Sequence, residues 1–226
     1  MAAEKKPSQK KKGFMTSYVF LTEFIRSFLR KIPIRSYSHK FYRFLKTAAE
    51  KRMLCNELNE KILINMISET LKQVGRMLIA KKLSVAFAES ATAGRLTADF
   101  SLIDDAGDFL KGGIACYDAS LKEALLNVEH DLIEKFTPES MEVTKAITEG
   151  LKALIPADIH IGITGLTCPG GSETVEKPVG TMFVYALNGD KQIFSERMNF
   201  DGGRKEIVAG TIERTAQLLQ NYLNTI

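Results

Sequence analysis

Leu83–Ala88, Phe109–Tyr117 and Ile159–Thr164 are apolar runs too short to be free-standing helices, and small or hydroxyl residues follow each. Runs of this kind suit strands buried on both faces of a sheet. Between them the apolar positions take helical spacing, over Ala93–Ile103, Ala119–Leu126 and Pro138–Leu154. Thr137 is placed to cap the last of these, with Pro138 at its first helical position. Upstream, Ile62, Met66, Ile67, Leu71, Val74 and Leu78 recur at three- and four-residue intervals and make one apolar helical face. Downstream, Thr181–Leu187 and Gln192–Phe200 flank Asn188-Gly189-Asp190-Lys191, whose Asn-Gly predicts an antiparallel hairpin. A long final helix follows over Lys205–Asn224. The expectation is a three-layer α/β/α sandwich around a mixed sheet that includes the C-terminal hairpin.

With 226 residues there is room for one well-buried domain and an appendage, and the charge distribution shows where they meet. Residues 1–52 hold fourteen Lys or Arg against three Asp or Glu, a net of +11; the whole chain is only +4, so residues 53–226 stand at −7. The chain therefore divides into a basic leader over residues 1–55 and an acidic domain over 56–226. An acidic body repels phosphate backbones, so a nucleic-acid partner is not expected unless residues 1–52 meet it. Two readings fit that segment. Phe20, Phe24 and Phe28 at helical spacing, opposite Arg26, Arg30 and Lys31, suit a basic amphipathic surface. A disordered leader, translated ahead of a start at Met53 or Met66, suits its poor core signal better and is the expectation.

The apolar stretch Tyr18–Ile25 is broken by Glu23 and followed by Arg26, so no membrane span is expected. Three cysteines and three histidines are scattered singly, without the spacing of a zinc site or a disulfide framework. No metal and no cofactor are expected, and the setting expected is the cytoplasm.

Working residues in such sheets lie beyond the carboxyl ends of strands. The turn Glu89-Ser90-Ala91-Thr92-Ala93-Gly94-Arg95 follows the first strand and places Ser90 either as a nucleophile or as a helix cap. Tyr117-Asp118-Ala119-Ser120-Leu121-Lys122 follows the second. Lys122 there falls in the first turn of a helix, where the dipole disfavours its ammonium form, and it reads either as a base or as a solvated surface lysine. A serine hydroxyl needs such a base, and serine–lysine pairs are a variant of the histidine-based triad. Thr164-Gly165 opens a Gly- and Pro-rich loop that runs through Glu176-Lys177-Pro178-Val179-Gly180-Thr181, either a rigid donor loop or an ordinary tight connection. The loop is not a P-loop. Asp201-Gly202-Gly203-Arg204 precedes the last helix, where an arginine beside free amides suits a phosphate.

Together, in this order, these segments resemble the C-terminal domain of the competence-damage-inducible protein CinA, the nicotinamide mononucleotide amidohydrolase family. The resemblance runs from about Leu63 to the C-terminus. It implies hydrolysis of the carboxamide of nicotinamide mononucleotide to nicotinic acid mononucleotide and ammonia, with no metal, and a homo-oligomer. By the same resemblance Ser90 matches the nucleophile, Lys122 the general base and Tyr117 a hydroxyl that positions them. Substrate contacts are implied for Glu89, Thr92, Gly94, Thr164, Gly165 and Arg204.

The chain departs from the family pattern in several places. Ala93 stands where a glycine is usual, and Asp105-Ala106-Gly107 replaces Gly-Ser-Ser, which removes a serine expected to assist the lysine. Gly-Leu-Thr-Cys-Pro and Gly-Gly-Arg replace Gly-Ile-Ala-Gly-Pro and Gly-Asp-Arg. A member that binds a nucleotide or a protein partner with little turnover is therefore the alternative. Deleting residues 1–52 is expected to leave a soluble domain with its activity intact, checked by a melt and an activity assay; loss of soluble, active protein would make the leader part of the working molecule.

Overall fold

The computed structural model describes residues 67–226. The basic leader, the domain boundary at residue 56 and the helical positions Ile62 and Met66 lie outside the described residues. The elements, in chain order, are α1 (Glu69–Lys81), β1 (Val85–Glu89), α2 (Arg95–Ser101), a 3₁₀ turn (Ala106–Asp108), β2 (Leu110–Ala115), α3 (Ala119–Leu126), α4 (His130–Phe136), α5 (Met141–Leu154), β3 (Ile159–Gly165), β4 (Thr181–Asn188), β5 (Lys191–Asn199) and α6 (Arg204–Leu223).

The sheet order is β2-β1-β3-β4-β5. β1 pairs in parallel with both β2 and β3, whereas β3–β4 and β4–β5 are antiparallel. Asn188 pairs with Lys191 across a two-residue turn in which Gly189 takes φ +58°, the conformation that the Asn-Gly signal anticipates. The mixed sheet and its terminal hairpin are those expected from sequence.

Side-chain alternation sorts the two faces. Val85 and Phe87 of β1 and Ile159, Ile161 and Ile163 of β3 join a large apolar cluster with Leu71, Val74 and Leu78 of α1, Leu96 and Phe100 of α2, and Ile212 and Leu219 of α6. Ala86 and Ala88 point to the other face, against Leu126 of α3, Ile133 of α4, and Val143, Ile147 and Leu151 of α5. Large residues on one face and small ones on the other let α5 sit close to the sheet. Closest of all is Gly162 in β3, where an added Cβ would stand 2.2 Å from Thr148 Oγ1 and 2.8 Å from the Thr144 carbonyl oxygen of α5.

Two helical assignments differ from expectation. α5 begins at Met141, not Pro138, because Ser140, extended at φ −145°, accepts the Val143 N–H as its N-cap. Thr137 instead terminates α4 at φ +69°, outside the extended region that an N-cap uses. α4 itself had no expected counterpart: of its seven residues only Ile133 is buried, too little to give a periodic signal. The other boundaries shift by one to a few residues, and α6 takes in Arg204 as its first residue.

His160 lies on the α5 face of β3, 2% exposed. Its Nε2 meets the Ile155 carbonyl oxygen at 2.8 Å, so Nε2 carries the hydrogen, and Nδ1 is buried without a partner. Burial holds its pKa below the ordinary histidine value, against the Ile155 hydrogen bond that favours the charged form. A group depressed in this way takes up a proton more readily in the unfolded chain. Its contribution to stability is complete above the ordinary histidine pKa and declines as pH falls below it toward the folded value.

Two measurements check this packing. Gly162→Ala is expected to lower stability by about 2–3 kcal/mol in chemical denaturation, because the α5 backbone cannot retreat from the methyl; a loss below about 0.5 kcal/mol would mean that α5 is not seated as described. Between pH 7 and pH 5 the wild type is expected to lose more stability than a His160→Gln variant, and equal losses would remove His160 from the account.

Candidate functional site

The three parallel strands end on the same edge of the sheet, and the residues singled out from sequence gather there. β1 delivers Glu89 and Ser90, β2 delivers Cys116 and Tyr117, and β3 delivers Thr164 and Gly165. Ser90 N–H bonds the Ile163 carbonyl oxygen and Cys116 N–H bonds that of Glu89, which extends both ladders past the strand ends.

Glu89 is wholly buried. Its Oε2 accepts the Gly94 and Leu96 N–H groups at 3.0 Å each, and its Oε1 accepts the Thr97 N–H at 2.7 Å and the Thr97 hydroxyl at 2.6 Å. Both oxygens are thus committed to the start of α2, which needs acceptors there because its first amides have no helical partner. Glu89 and Gly94, expected to meet substrate, instead form the internal brace of the turn that carries Ser90. A buried carboxylate would otherwise be costly, and here two faces of one cost cancel.

The brace decides which donors remain. Gly94, Leu96 and Thr97 amides are used by Glu89, Ala93 N–H by the Ser90 carbonyl oxygen, and Arg95 N–H by that of Thr92. Among the described residues, the Ala91 and Thr92 N–H groups take part in no such bond. Thr92 Oγ1 is buried and also lacks a partner. Three unspent donors therefore sit within two residues of Ser90, itself 5% exposed. Ala93, the departure noted in sequence, takes φ +51°, a left-handed conformation that costs a non-glycine residue roughly 1 kcal/mol.

Lys122 is 0% exposed. Asp118 caps α3 by accepting the Ser120 N–H at 2.9 Å, and one turn on, Lys122 Nζ turns back under the strand end. There it donates to the Cys116 and Tyr117 carbonyl oxygens, at 3.0 and 3.4 Å. Two carbonyl acceptors leave one position on the nitrogen without a protein partner. Burial depresses the Lys122 pKa and outweighs the opposing pull of Cys116, Glu139 and Asp118. Desolvation, more than the helix dipole expected from sequence, is the main cause. The same burial pushes the Cys116 thiol up, against the field of Lys122.

The remaining expected residues are placed differently. Tyr117 is 62% exposed, at the mouth of the site. The Thr164 hydroxyl is buried and lies 2.7 Å from Thr144 Oγ1, so its side chain ties β3 to α5 and does not face outward. Arg204 is exposed at the first position of α6, beyond the end of β5. β5 runs in the same sense as β1 and ends on the same edge, three strands away, roughly 14 Å at ordinary strand spacing. Gly107 precedes β2 and so lies at the opposite edge, about 20 Å along the strand from Lys122. A serine at that position could not assist Lys122 within one chain, so the expectation attached to its loss is corrected.

Sequence reasoning missed Glu139 and Ser172, and passed over Lys177 while quoting the motif that holds it. Lys177 Nζ donates to Thr137 Oγ1, the Glu139 carbonyl oxygen and Ser172 Oγ at 2.6, 2.9 and 2.7 Å. The pairing of Glu-Lys-Pro with Thr-Pro-Glu-Ser, some forty residues upstream, leaves no periodic trace. Among the described residues no three His, Cys, Asp or Glu side chains cluster as metal ligands, and no helix is long and apolar enough to cross a membrane.

Residues 67–223 match the family model described as the CinA C-terminal domain. A putative competence-damage inducible protein of Desulforudis audaxviator is 31% identical over 78% of this chain and 44% of its own length. A CinA-like protein of Thermotoga neapolitana is 34% identical over 79% of this chain and 45% of its own. The chain thus spans less than half the length of these curated relatives. Among solved structures, a CinA superfamily protein of Klebsiella pneumoniae superposes with a TM-score of 0.66 at 26% identity, covering 70% of this chain and 98% of that one.

Glu89→Gln is expected to cost about 2–4 kcal/mol in denaturant unfolding, because an amide NH₂ would face backbone donors and leave at least one buried N–H unpaired. A change under 1 kcal/mol would show that the brace does not hold the turn.

Proposed function

We propose that this chain, which belongs to the CinA C-terminal domain family, hydrolyses the carboxamide of nicotinamide mononucleotide to nicotinic acid mononucleotide and ammonia by a serine–lysine mechanism. The observation that carries the proposal is the state of Lys122, a fully buried amine with two carbonyl acceptors, at the strand end beside Ser90. Burial makes such an amine give up its proton more readily than a surface lysine, and the neutral amine is a base.

In this reading Ser90 Oγ attacks the amide carbon while Lys122 Nζ takes the hydroxyl proton. The charge that develops on the carbonyl oxygen is met by the Ala91 and Thr92 N–H groups, and Thr92 Oγ1 supplies a third donor. Lys122 returns the proton to the departing nitrogen, which leaves as ammonia. Water then adds to the Ser90 ester with Lys122 again as base, releasing the acid and restoring the hydroxyl. Tyr117 flanks the entrance, and Arg204, on the same edge, receives the phosphate of an extended substrate. The proposal includes a cytoplasmic setting and a homo-oligomer.

One observation favours a second reading. Among the described residues no hydrogen bond joins Ser90 to Lys122, and the Ala93 turn is strained. A member that binds nucleotide without efficient turnover would look the same. Ammonia release separates the two. Wild type is expected to release it from nicotinamide mononucleotide, and Ser90→Ala and Lys122→Met to lose at least about a hundredfold in kcat while still binding the nucleotide. Wild type that binds and melts cooperatively yet releases nothing would leave only the second reading. Turnover is also expected to rise with pH through a midpoint below the ordinary lysine range, since only neutral Lys122 accepts the proton; a pH-independent rate, or a midpoint in the ordinary lysine range, would remove it as base.

A further inference from the structure

The loop between β3 and β4, residues 166–180, crosses the edge of the sheet next to the Ser90 turn. At its base, Leu166 N–H bonds the Thr181 carbonyl oxygen and Gly180 N–H bonds that of Leu166. Those two bonds fix where the loop leaves and returns, but not where its body lies. Two side chains hold the body: Arg197 of β5 donates to the Glu176 carbonyl oxygen, and Lys177 makes the larger set of bonds. Lys177 reaches across to the turn between α4 and α5, where Thr137 Oγ1 and the Glu139 carbonyl oxygen accept two of its N–H bonds. Its third N–H goes to Ser172 Oγ within the loop, and the Ser172 hydroxyl passes its own hydrogen to Glu139 Oε2 at 2.5 Å. Three acceptors around one nitrogen use all three hydrogens of an ammonium and leave no lone pair. Lys177 thus spends all its positions on holding, with three partners against the two around Lys122 Nζ.

We propose that Lys177 is a positioning residue, which through Ser172 and Glu139 clamps the 166–180 loop to the α4–α5 turn and so fixes one wall of the substrate site. The proposal rests on the amidohydrolase reading for its effect on turnover, though not for the clamp itself. The α4–α5 turn is a firm anchor. Ser140, next to Glu139, caps α5 and accepts the Thr144 hydroxyl at its carbonyl oxygen, and Thr144 in turn meets Thr164 at the end of β3. The clamp therefore ties the loop to the strand end from which it departs, by a path that does not run along the loop. At the far tip, Val175 stands 94% exposed, so the body of the loop has no apolar anchorage there to replace the lost ammonium.

The test uses the full chain and two variants, Lys177→Met and Ser172→Ala, with Lys122→Met as a control outside the clamp. Thermolysin cuts ahead of exposed apolar residues, so cleavage at Val175 reads loop release directly. Cleavage there is expected to be about tenfold faster in both clamp variants and unchanged in Lys122→Met, with cooperative melts throughout. For nicotinamide mononucleotide, KM is expected to rise about tenfold in Lys177→Met with kcat within about threefold, since a displaced wall weakens binding more than chemistry. Unchanged cleavage in both clamp variants would overturn the clamp. Faster cleavage with an unchanged KM would overturn its role at the site. Should wild type release no ammonia, the amidohydrolase reading falls, and cleavage at Val175 still decides the clamp.

Discussion

The buried carboxylate of Glu89 is the constraint on which the working edge of this sheet depends. A charge with no access to water is tolerable only where donors surround it, and four converge here. Three of them are backbone amides at the beginning of α2, which itself has no side-chain N-cap. Helix start and carboxylate therefore solve each other's problem, and the chain between them has little freedom left. Residues 90–93 must close a tight path from the end of β1 to Gly94, and the left-handed Ala93 is the local cost of that closure. The same constraint selects the amides that stay available. Gly94, Leu96 and Thr97 turn theirs inward to Glu89, while the Ala91 and Thr92 amides, next in sequence to Ser90, stay unspent.

Sheet geometry then determines what else can join Ser90. Only β1, β2 and β3 are consecutive in space and parallel, so only their ends bring neighbouring side chains to one place. Lys122 arrives because α3 starts immediately after β2, and the short return under the strand end buries its amine. Arg204 shares the edge but not the neighbourhood, and Gly107 shares neither. Proximity in the family pattern is a matter of strand ends, and a residue ahead of a strand is on the wrong side of the molecule however close it stands in sequence.

Much of the fold was legible because the signals were local. An apolar run such as Leu83–Ala88 can only be a buried strand at that length, and Asn188-Gly189 suits only a tight reversal. The start of α5 was misread for an equally local reason: Thr137-Pro138 is an ordinary capping pair, but Thr137 was already spent in ending α4, and Ser140 could take the extended conformation that a cap requires. At the site, residue type and position at strand ends left Ser90 open between nucleophile and helix cap, and Lys122 between base and solvated lysine, of which its burial removes the last. The direction in which Glu89 points was not legible, since all five residues of β1 are buried and alternation carries no inside or outside. Nor was the link from Lys177 to Glu139, which depends on two turns meeting across the sheet edge.

The two lysines show why residue type alone underdetermines chemistry. Both are drawn away from water, and burial lowers the pKa of each. What separates them is the number and kind of acceptor. Lys122 finds two carbonyl oxygens, neither charged, and keeps one position on its nitrogen without a partner. Lys177 finds a carbonyl and two hydroxyls, one of them backed by the Glu139 carboxylate, and all three positions on its nitrogen are taken. In the proposed reading one lysine serves as base and the other as clamp, and the backbone sets the number of acceptors around each nitrogen. Here that count is set by the end of β2 for one and by the α4–α5 turn for the other, so the division of labour is a consequence of topology.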